Sequence, residues 1–407
     1  MKFARNWEPL GMKYKTVKLG EYLYIKGRIG WKGLKKNEYL PHSDYRIING
    51  ESLTDDGIDW SKAGYITKER YDESPEIMLQ EGDILVSKDG TIGKIGYITS
   101  LDAPTTVASG IFVIRNLNPK LIDTRFIYNF LCSKRFKDFI TMRTEGSVIP
   151  HLYQKDFVEL DFPLPPIDEQ KRIVSILDTI SSKIDLNKAI NNNLMQQAKT
   201  IFEAEIVNRT ELPNGWKKSN LASIADYLNG LAMQNYRPTD DDQGFPVLKI
   251  KELRQGACDA DSERCSSYIK SNYIVNDGDV IFSWSGSLLV DFWCGGICGL
   301  NQHLFKVTST QYAPWFFYSW TNYHLAKFAA IASAKATTMG HIKRSDIEAA
   351  EVIIPSSADY ERIGALIQPL YNLCIALRLE NRKLAATRDS LLPRLLFGDI
   401  DICEAII

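Results

Sequence analysis

The sequence predicts an α+β protein made of two globular domains of mixed strand and helix, each followed by a long helix. Three observations carry that expectation. First, the 407-residue chain repeats itself. SVIPHLYQKDFVELDFPLPP around His151 returns as TTMGHIKRSDIEAAEVIIPS around His341, and an offset of 190 residues pairs His151 with His341, Asp156 with Asp346 and Pro165 with Pro355. The same offset continues into Ile173 and Ile363, Leu194 and Leu384, and Ile201 and Leu391. A solenoid unit has a period of roughly 20–50 residues, so this is a duplicated domain-plus-helix module. Second, apolar runs punctuated by glycine recur in each copy. Third, each copy ends in a heptad stripe.

Size and composition set the outer bounds. The chain is long enough for two or three domains with their own cores. No apolar run approaches the roughly 20 residues of a membrane span. The beginning, MKFARNWEPLGMKYK, lacks a signal-like apolar stretch, and the seven cysteines form no regular framework; both suit a cytoplasmic protein. Cys258, Cys265, Cys294 and Cys298 cluster in the second half, with gaps wider than the CxxC pairs of zinc sites, and read as free thiols. Net charge is −1, but residues 1–40 hold ten Lys or Arg against three acids, interleaved with Tyr22, Tyr24, Trp31 and Tyr39. That stretch is either a solvated face or a phosphate-binding surface.

In the first copy, EGDILVS (81–87) is a turn and strand, KDGTIGKIGYIT a hairpin into a second strand, and SGIFVIRN (109–116) a third. Residues 124–140 carry Phe126, Ile127, Phe130, Leu131, Phe136 and Phe139 at helical spacing, and VELDFPLP closes the domain as a strand stopped by prolines. In the second copy DGDVIFSWSGS, LNQHLFKV and APWFFYSWTNYHLAKF take the corresponding places. The expected division is 1–164 for the first domain, 165–210 for a central long helix, 211–354 for the second domain, 355–397 for a distal long helix and 398–407 for a tail.

The helix seams follow gaps of three and four. The first uses Ile173, Leu177, Ile180, Ile184, Leu194, Ala198 and Ile201; the second uses Ile363, Ile367, Leu370, Cys374, Leu377, Leu384, Leu391 and Leu395. Such stripes call for a partner helix, and roughly 38 residues at about 1.5 Å each make a rod of about 57 Å. Asn191 and Asn381 fall in equivalent slots, where a buried Asn would fix register or the seam would be wet. Pro369 predicts a kink or break near Gln368.

Catalytic motifs are scarce. There is no (N/D)PP(Y/F) loop, no GxxxxGK[ST], and no grouping of the five histidines His42, His151, His303, His324 and His341. Asp156 with Glu169 and Lys171 imitates a nuclease constellation, yet the latter two open a helix and become Asp359 and Glu361 in the second copy. What recurs is polar loops on a scaffold, with side chains suited to phosphates and base edges, though hairpin turns or caps would look similar. Candidate DNA-contacting residues are Lys26, Arg28, Lys32, Lys35 and Lys36 in the basic lead-in, and Ser87, Lys88, Asp89 and Thr91 after the first strand. Arg143, Thr144 and Ser147 precede His151. The second copy offers Arg237, then Ser283, Trp284 and Ser285, then Asn301 and Gln302, then Lys335, Thr337 and Thr338. His151 and His341 read as structural hydrogen-bonders.

The order GDILVSKDGTIGKIGYI, then GSVIPHLYQKDFVELDFPLPPIDEQKRIVSILDTISSKID, then a second domain and a second long helix closing on SLLPRLLFGDI, resembles the specificity subunit of type I restriction-modification systems. The resemblance covers essentially the whole chain, with PLPPIDEQKRIVSILD its most specific part; the second copy departs from it at Ser356-Ser357-Ala358-Asp359-Tyr360. It implies two target-recognition domains in a pseudo-two-fold arrangement, separated by two long antiparallel helices forming a coiled coil. Each domain would bind one half of a bipartite, asymmetric site in double-stranded DNA, with the helices as a ruler. It further implies two docked methyltransferase (modification) subunits and an endonuclease/translocase (restriction) subunit, and no membrane. S-adenosylmethionine, ATP and Mg would sit on those partners, with no cofactor and no catalysis on this chain. Half-sites read from one face would lie about 34 Å apart, within the reach of such a rod. A DNA-modifying enzyme with an unrecognised active site and a coiled-coil protein-binding scaffold are the competing readings.

Overall fold

In the computed structural model, residues 14–29, 33–54, 57–144, 151–334 and 340–400 are described. The chain forms two compact units: residues 1–182 with 385–407, and residues 183–384. The division falls inside both long helices. The reason is packing, because a helix with one apolar stripe has no core of its own and joins the nearest one.

The first unit pairs Lys15–Lys18 antiparallel with Asp161–Leu164, closing the domain's two ends on each other. Its main sheet orders Leu23–Gly27, Ile111–Asn116, Ile84–Ser87 and Ile95–Tyr97, all antiparallel. A second sheet orders Gly64–Ile66, Tyr45–Ile48 and Thr105–Val107, the last two parallel. The second unit repeats this plan. Lys217–Asn220 pairs with Glu351–Ile354, and the main sheet orders Asp226–Asn229, Leu304–Thr308, Val280–Ser283 and Leu289–Phe292. Its second sheet again contains one parallel pair, Phe245–Leu248 with Cys298–Leu300.

The apolar runs DILVS and DVIFS lack polar alternation because both faces of each strand are covered. Ile84 and Val86 enter one core while Leu85 enters another; Val280 and Phe282 likewise part from Ile281. Each run is entered by the same turn. Gly82 and Gly278 take φ of 87° and 90°, a region open to glycine. The carboxylates of Asp83 and Asp279 accept the N–H of Gln80 and Asn276, both at 2.8 Å.

The helix expected over 124–140 is two helices, Thr124–Cys132 and Lys134–Thr144. Ser133 separates them: its backbone is extended and its hydroxyl donates to Phe130 O at 2.6 Å, the local competition that disfavours Ser inside helices. The second copy has Tyr323 there and keeps one helix, Pro314–Ala334.

The long helices are Ile167–Phe202, followed by one π turn at Glu203–Val207, and Ser357–Phe397. The helix runs through Pro369 without the expected break. Pro369 and Ala365, whose carbonyl loses its donor, face solvent, so water can replace the missing bond while Ile367, Tyr371 and Cys374 stay buried on the opposite side. In the first unit Ile173 and Leu177 share a core with Leu392, Leu395 and Leu396. In the second, Ala198 and Phe202 share one with Ile363 and Ile367. Ile184 and Leu194 are buried; Ile180, Leu370, Leu377, Asn381 and Leu384 are half-buried.

Asn191 and Asn381 both lie along the seam, the first buried and the second half-buried, and the side-chain bond there joins Asn381 to Asn187. Within the second unit Asn187, fully buried, donates from Nδ2 to Glu380 Oε2 at 2.7 Å and to Asn381 Oδ1 at 2.9 Å. Asn381 returns a bond to Ile184 O at 3.3 Å, and Asn191 offers its backbone carbonyl to the Cys374 thiol. As positions rise on one helix they fall on the other, so the pairing is antiparallel. That is why equivalent slots do not face one another.

Candidate nucleic-acid interface

Two loops distant in sequence meet at the end of each main sheet. In the first copy Leu152 N–H donates to Lys88 O at 3.1 Å; in the second Ile342 N–H donates to Trp284 O at 3.1 Å. Gly286 N–H adds a bond to Gly340 O, and Ser285 forms a bridge with His341. The repeated histidine segments therefore lie against the hairpin tips. Each tip turns at a glycine of positive φ, Gly90 at 68° and Gly286 at 64°.

In the first copy the junction borders a cleft of about 450 Å³ lined by Lys26, Arg28, Glu76, Lys88, His151 and Tyr153. Lys26 is exposed. Lys88 lies over the Phe112 ring and its Nζ is 3.1 Å from Asp89 Oδ2, while His151 Nδ1 pairs with Asp89 Oδ1. Lys155 stands over Tyr153, a ring left 53% exposed. Positive groups around an open aromatic suit a polyanion with stackable or apolar edges.

The second copy builds its junction from different side chains. Trp284 Nε1 donates to Asn229 Oδ1 at 3.0 Å, and its ring is surrounded by His303, Phe305 and His341 at centroid distances of 6.1, 5.8 and 6.2 Å. Gln302 is half-buried next to the exposed His303.

Several candidates serve the loops and do not face outward. Ser87 is buried; its hydroxyl donates to Thr91 O at 2.6 Å and accepts Lys94 N–H at 2.9 Å. Ser283 is buried with its hydroxyl on Ser285 O, and Ser285 is buried on His303 Nδ1 at 3.1 Å. Asn301 is buried and accepts His303 N–H. Arg28 is buried, with Nε on Val107 O at 3.1 Å; burial first and the Arg70 charge second push its pKa down. Lys35, Lys36 and Thr91 are exposed. Arg143 pairs with Glu159 at 2.8 Å, and Arg237 with Glu263 at 3.2 Å. Lys32, Ser147, Lys335, Thr337 and Thr338 lie outside the described residues, as does the Thr144 side chain. Tyr153, Asn229 and His303 join the junctions without having been singled out by sequence; the adjacency of Tyr153 to the repeated histidine was the available signal.

The nuclease-like constellation dissolves into architecture. Asp156 is buried and accepts Tyr153 N–H at 2.7 Å, as Asp346 accepts Lys343 N–H at 2.7 Å. Glu169 accepts the Tyr14 hydroxyl. Among the described residues, no group of three His, Cys, Asp or Glu is placed to hold a metal ion, and Cys258, Cys265, Cys294 and Cys298 are free thiols. No described helix is long and apolar enough to cross a membrane.

Fold and site together define a duplicated reader: one backbone frame used twice, each time presenting a different set of polar and aromatic side chains. Comparison with known proteins gives that class its family. The family described as type I restriction modification DNA specificity domain matches residues 12–196 and again 213–386. The chain is 26% identical over 367 residues to the type I restriction enzyme MjaIX specificity subunit of Methanocaldococcus jannaschii, covering 83% of this chain and 82% of that one. It is 27% identical to the EcoKI specificity subunit of Escherichia coli over 286 residues, 66% of this chain and 59% of that one. The type I restriction-modification S subunit from M. genitalium shares the fold, with a TM-score of 0.55 at 15% identity over 97% of this chain and 98% of that one. The chain belongs to the type I restriction modification DNA specificity family, whose domain it carries twice.

Proposed function

We propose that each domain reads a different half of a bipartite, asymmetric DNA site through the junction of its hairpin tip and histidine segment. The long helices set the spacer and dock two methyltransferase subunits, and an endonuclease/translocase subunit completes the assembly in the cytoplasm. S-adenosylmethionine, ATP and Mg belong, in this reading, to those partners. The observation that carries it is the pair of matched tips. The same backbone bond, 3.1 Å in both copies, holds Lys88 and Asp89 in one and Trp284 and Ser285 in the other. A frame kept constant while its presented chemistry changes is what two unlike targets require.

The test is selection of bound sites from random duplexes by the full chain with its modification subunit. Lys88→Ala should weaken one half-site by roughly tenfold or more, and Trp284→Ala the other, at about 1–3 kcal/mol for each lost contact. A single variant that degrades both half-sites would break the assignment of one half to each domain. Methyl transfer or cleavage by the purified chain alone would restore the enzyme reading.

A further inference from the structure

We propose that Asp89 reads a cytosine of the first half-site, its carboxylate accepting the exocyclic N4–H of that base in the major groove. This rests on the DNA-reading function proposed above and names the chemistry of one of its contacts.

The tip is built to hold a carboxylate still. The strand Ile84–Ser87 is buried throughout, and the Ser87 hydroxyl staples the turn through Thr91 O and Lys94 N–H. At the turn, Lys88 Nζ grips Asp89 Oδ2 at 3.1 Å and His151 faces Oδ1, while the Leu152–Lys88 backbone bond fixes the two loops together. The Lys88 side chain is only 13% exposed, whereas Asp89 is 42% exposed. The carboxylate is thus clamped from two sides and open on the third, and each oxygen keeps a lone pair for another donor. A fixed group spends little entropy on binding.

Charge selects the kind of partner. Lys26, Lys88 and the buried Arg28 line the adjoining cleft against one acid, Glu76, and Lys155 stands near it, so cations outnumber the carboxylate there. That surface draws a polyanion, but a carboxylate set against phosphate would be repelled. Against duplex DNA, Asp89 finds donors only on base edges. Adenine N6 stands beside the acceptor N7, which opposes the second carboxylate oxygen. Cytosine N4 stands beside a C–H, and carboxylates pair with it. The equivalent position in the second copy is Ser285, buried on His303, so this mode of reading belongs to one domain. Lys88 and His151 are positioning residues in this account.

The experiment is again selection from random duplexes with the full chain and its modification subunit. Wild type should enrich cytosine at one position of one half-site. Asp89→Asn should move that position toward adenine, because an amide can bond N6 and N7 together. Asp89→Ala should lose discrimination there by about tenfold, and His151→Gln should weaken the preference without changing the base. All other positions, including the second half-site, should stay as in wild type. Unchanged half-sites in both Asp89 variants would overturn the proposal, and so would loss of the whole first half-site in both, which would make Asp89 part of the loop's architecture. If wild type itself enriches no sequence, the DNA-reading function fails, and this proposal with it.

Discussion

In the first unit the long helix is fastened to the domain by Gln170, whose Oε1 accepts Asp123 N–H at 2.8 Å while Nε2 donates to Leu121 O and Pro165 O. In the second unit the Tyr360 hydroxyl accepts the N–H of Ala313, the equivalent residue, at 2.7 Å. Next to each lock an aromatic donor holds a helix-start carboxylate: Tyr14 on Glu169, and Trp216 Nε1 on Asp359 at 2.9 Å. The text Ser356–Tyr360, which departs from the first copy, thus preserves the contacts. The second lock is aromatic, with Tyr360 packed among Tyr312, Trp315 and Phe316. Backbone amides at a helix start must be satisfied, but any acceptor of suitable reach will do, so the requirement outlives the residue that meets it.

The sharpest way to break this comparison is to remove each lock. Gln170→Ala strands three backbone partners, one of them buried, and should cost about 2–3 kcal/mol, whereas Tyr360→Phe removes one acceptor from an otherwise intact aromatic cluster and should cost about 1 kcal/mol. Denaturant unfolding measures both, and equal costs would contradict the difference drawn between the two locks.

The seam offers a smaller effect. Asn187 bonds Asn381, but the residue 190 positions after Asn187 is Leu377, so duplication placed a polar pair on one side only. Replacing both, Asn187→Leu with Asn381→Leu, should raise stability by about 1–2 kcal/mol while loosening register. Thermal melting reads the first effect. A broader range of accepted spacers in selected DNA sites reads the second, and an unchanged range would assign the pair no role in register.

The smallest expected effect is a pH dependence confined to the second unit. Arg382 bonds both oxygens of Asp277 and, as the largest cause, holds its pKa below the usual carboxylate value of 3.8. A depressed folded pKa gives stability that is present above the unfolded value and lost as pH falls through the folded one. Asp277→Asn should therefore lower the melting temperature at pH 7 slightly and flatten its decline below about pH 4. An unaltered melting-versus-pH curve would count against the contact.

Much of the frame was legible. The offset of 190 residues located both copies, and uninterrupted apolar runs after Gly-Asp turns marked the central strands, because burial on both faces leaves no polar alternation. Side-chain roles were less legible. Ser87 and Ser283 look like outward polar readers but close their own turns, since a hydroxyl at a strand end bonds the nearest backbone group as readily as a ligand. Arg28 belongs to a basic run, yet burial and its bond to Val107 O turn it inward.

The sequence by itself determined the duplication, the strand and helix order, and the apolar stripes, because periodicity and turn chemistry act over a few residues. Only the tertiary structure decided which residues meet. It set Leu152 on Lys88 and Ile342 on Trp284, and it paired Asn187 with Asn381. It also gave each unit the halves of two different helices. Such pairings depend on antiparallel register and on loops folding back across long stretches of chain, and no local pattern encodes the distance between residues that far apart.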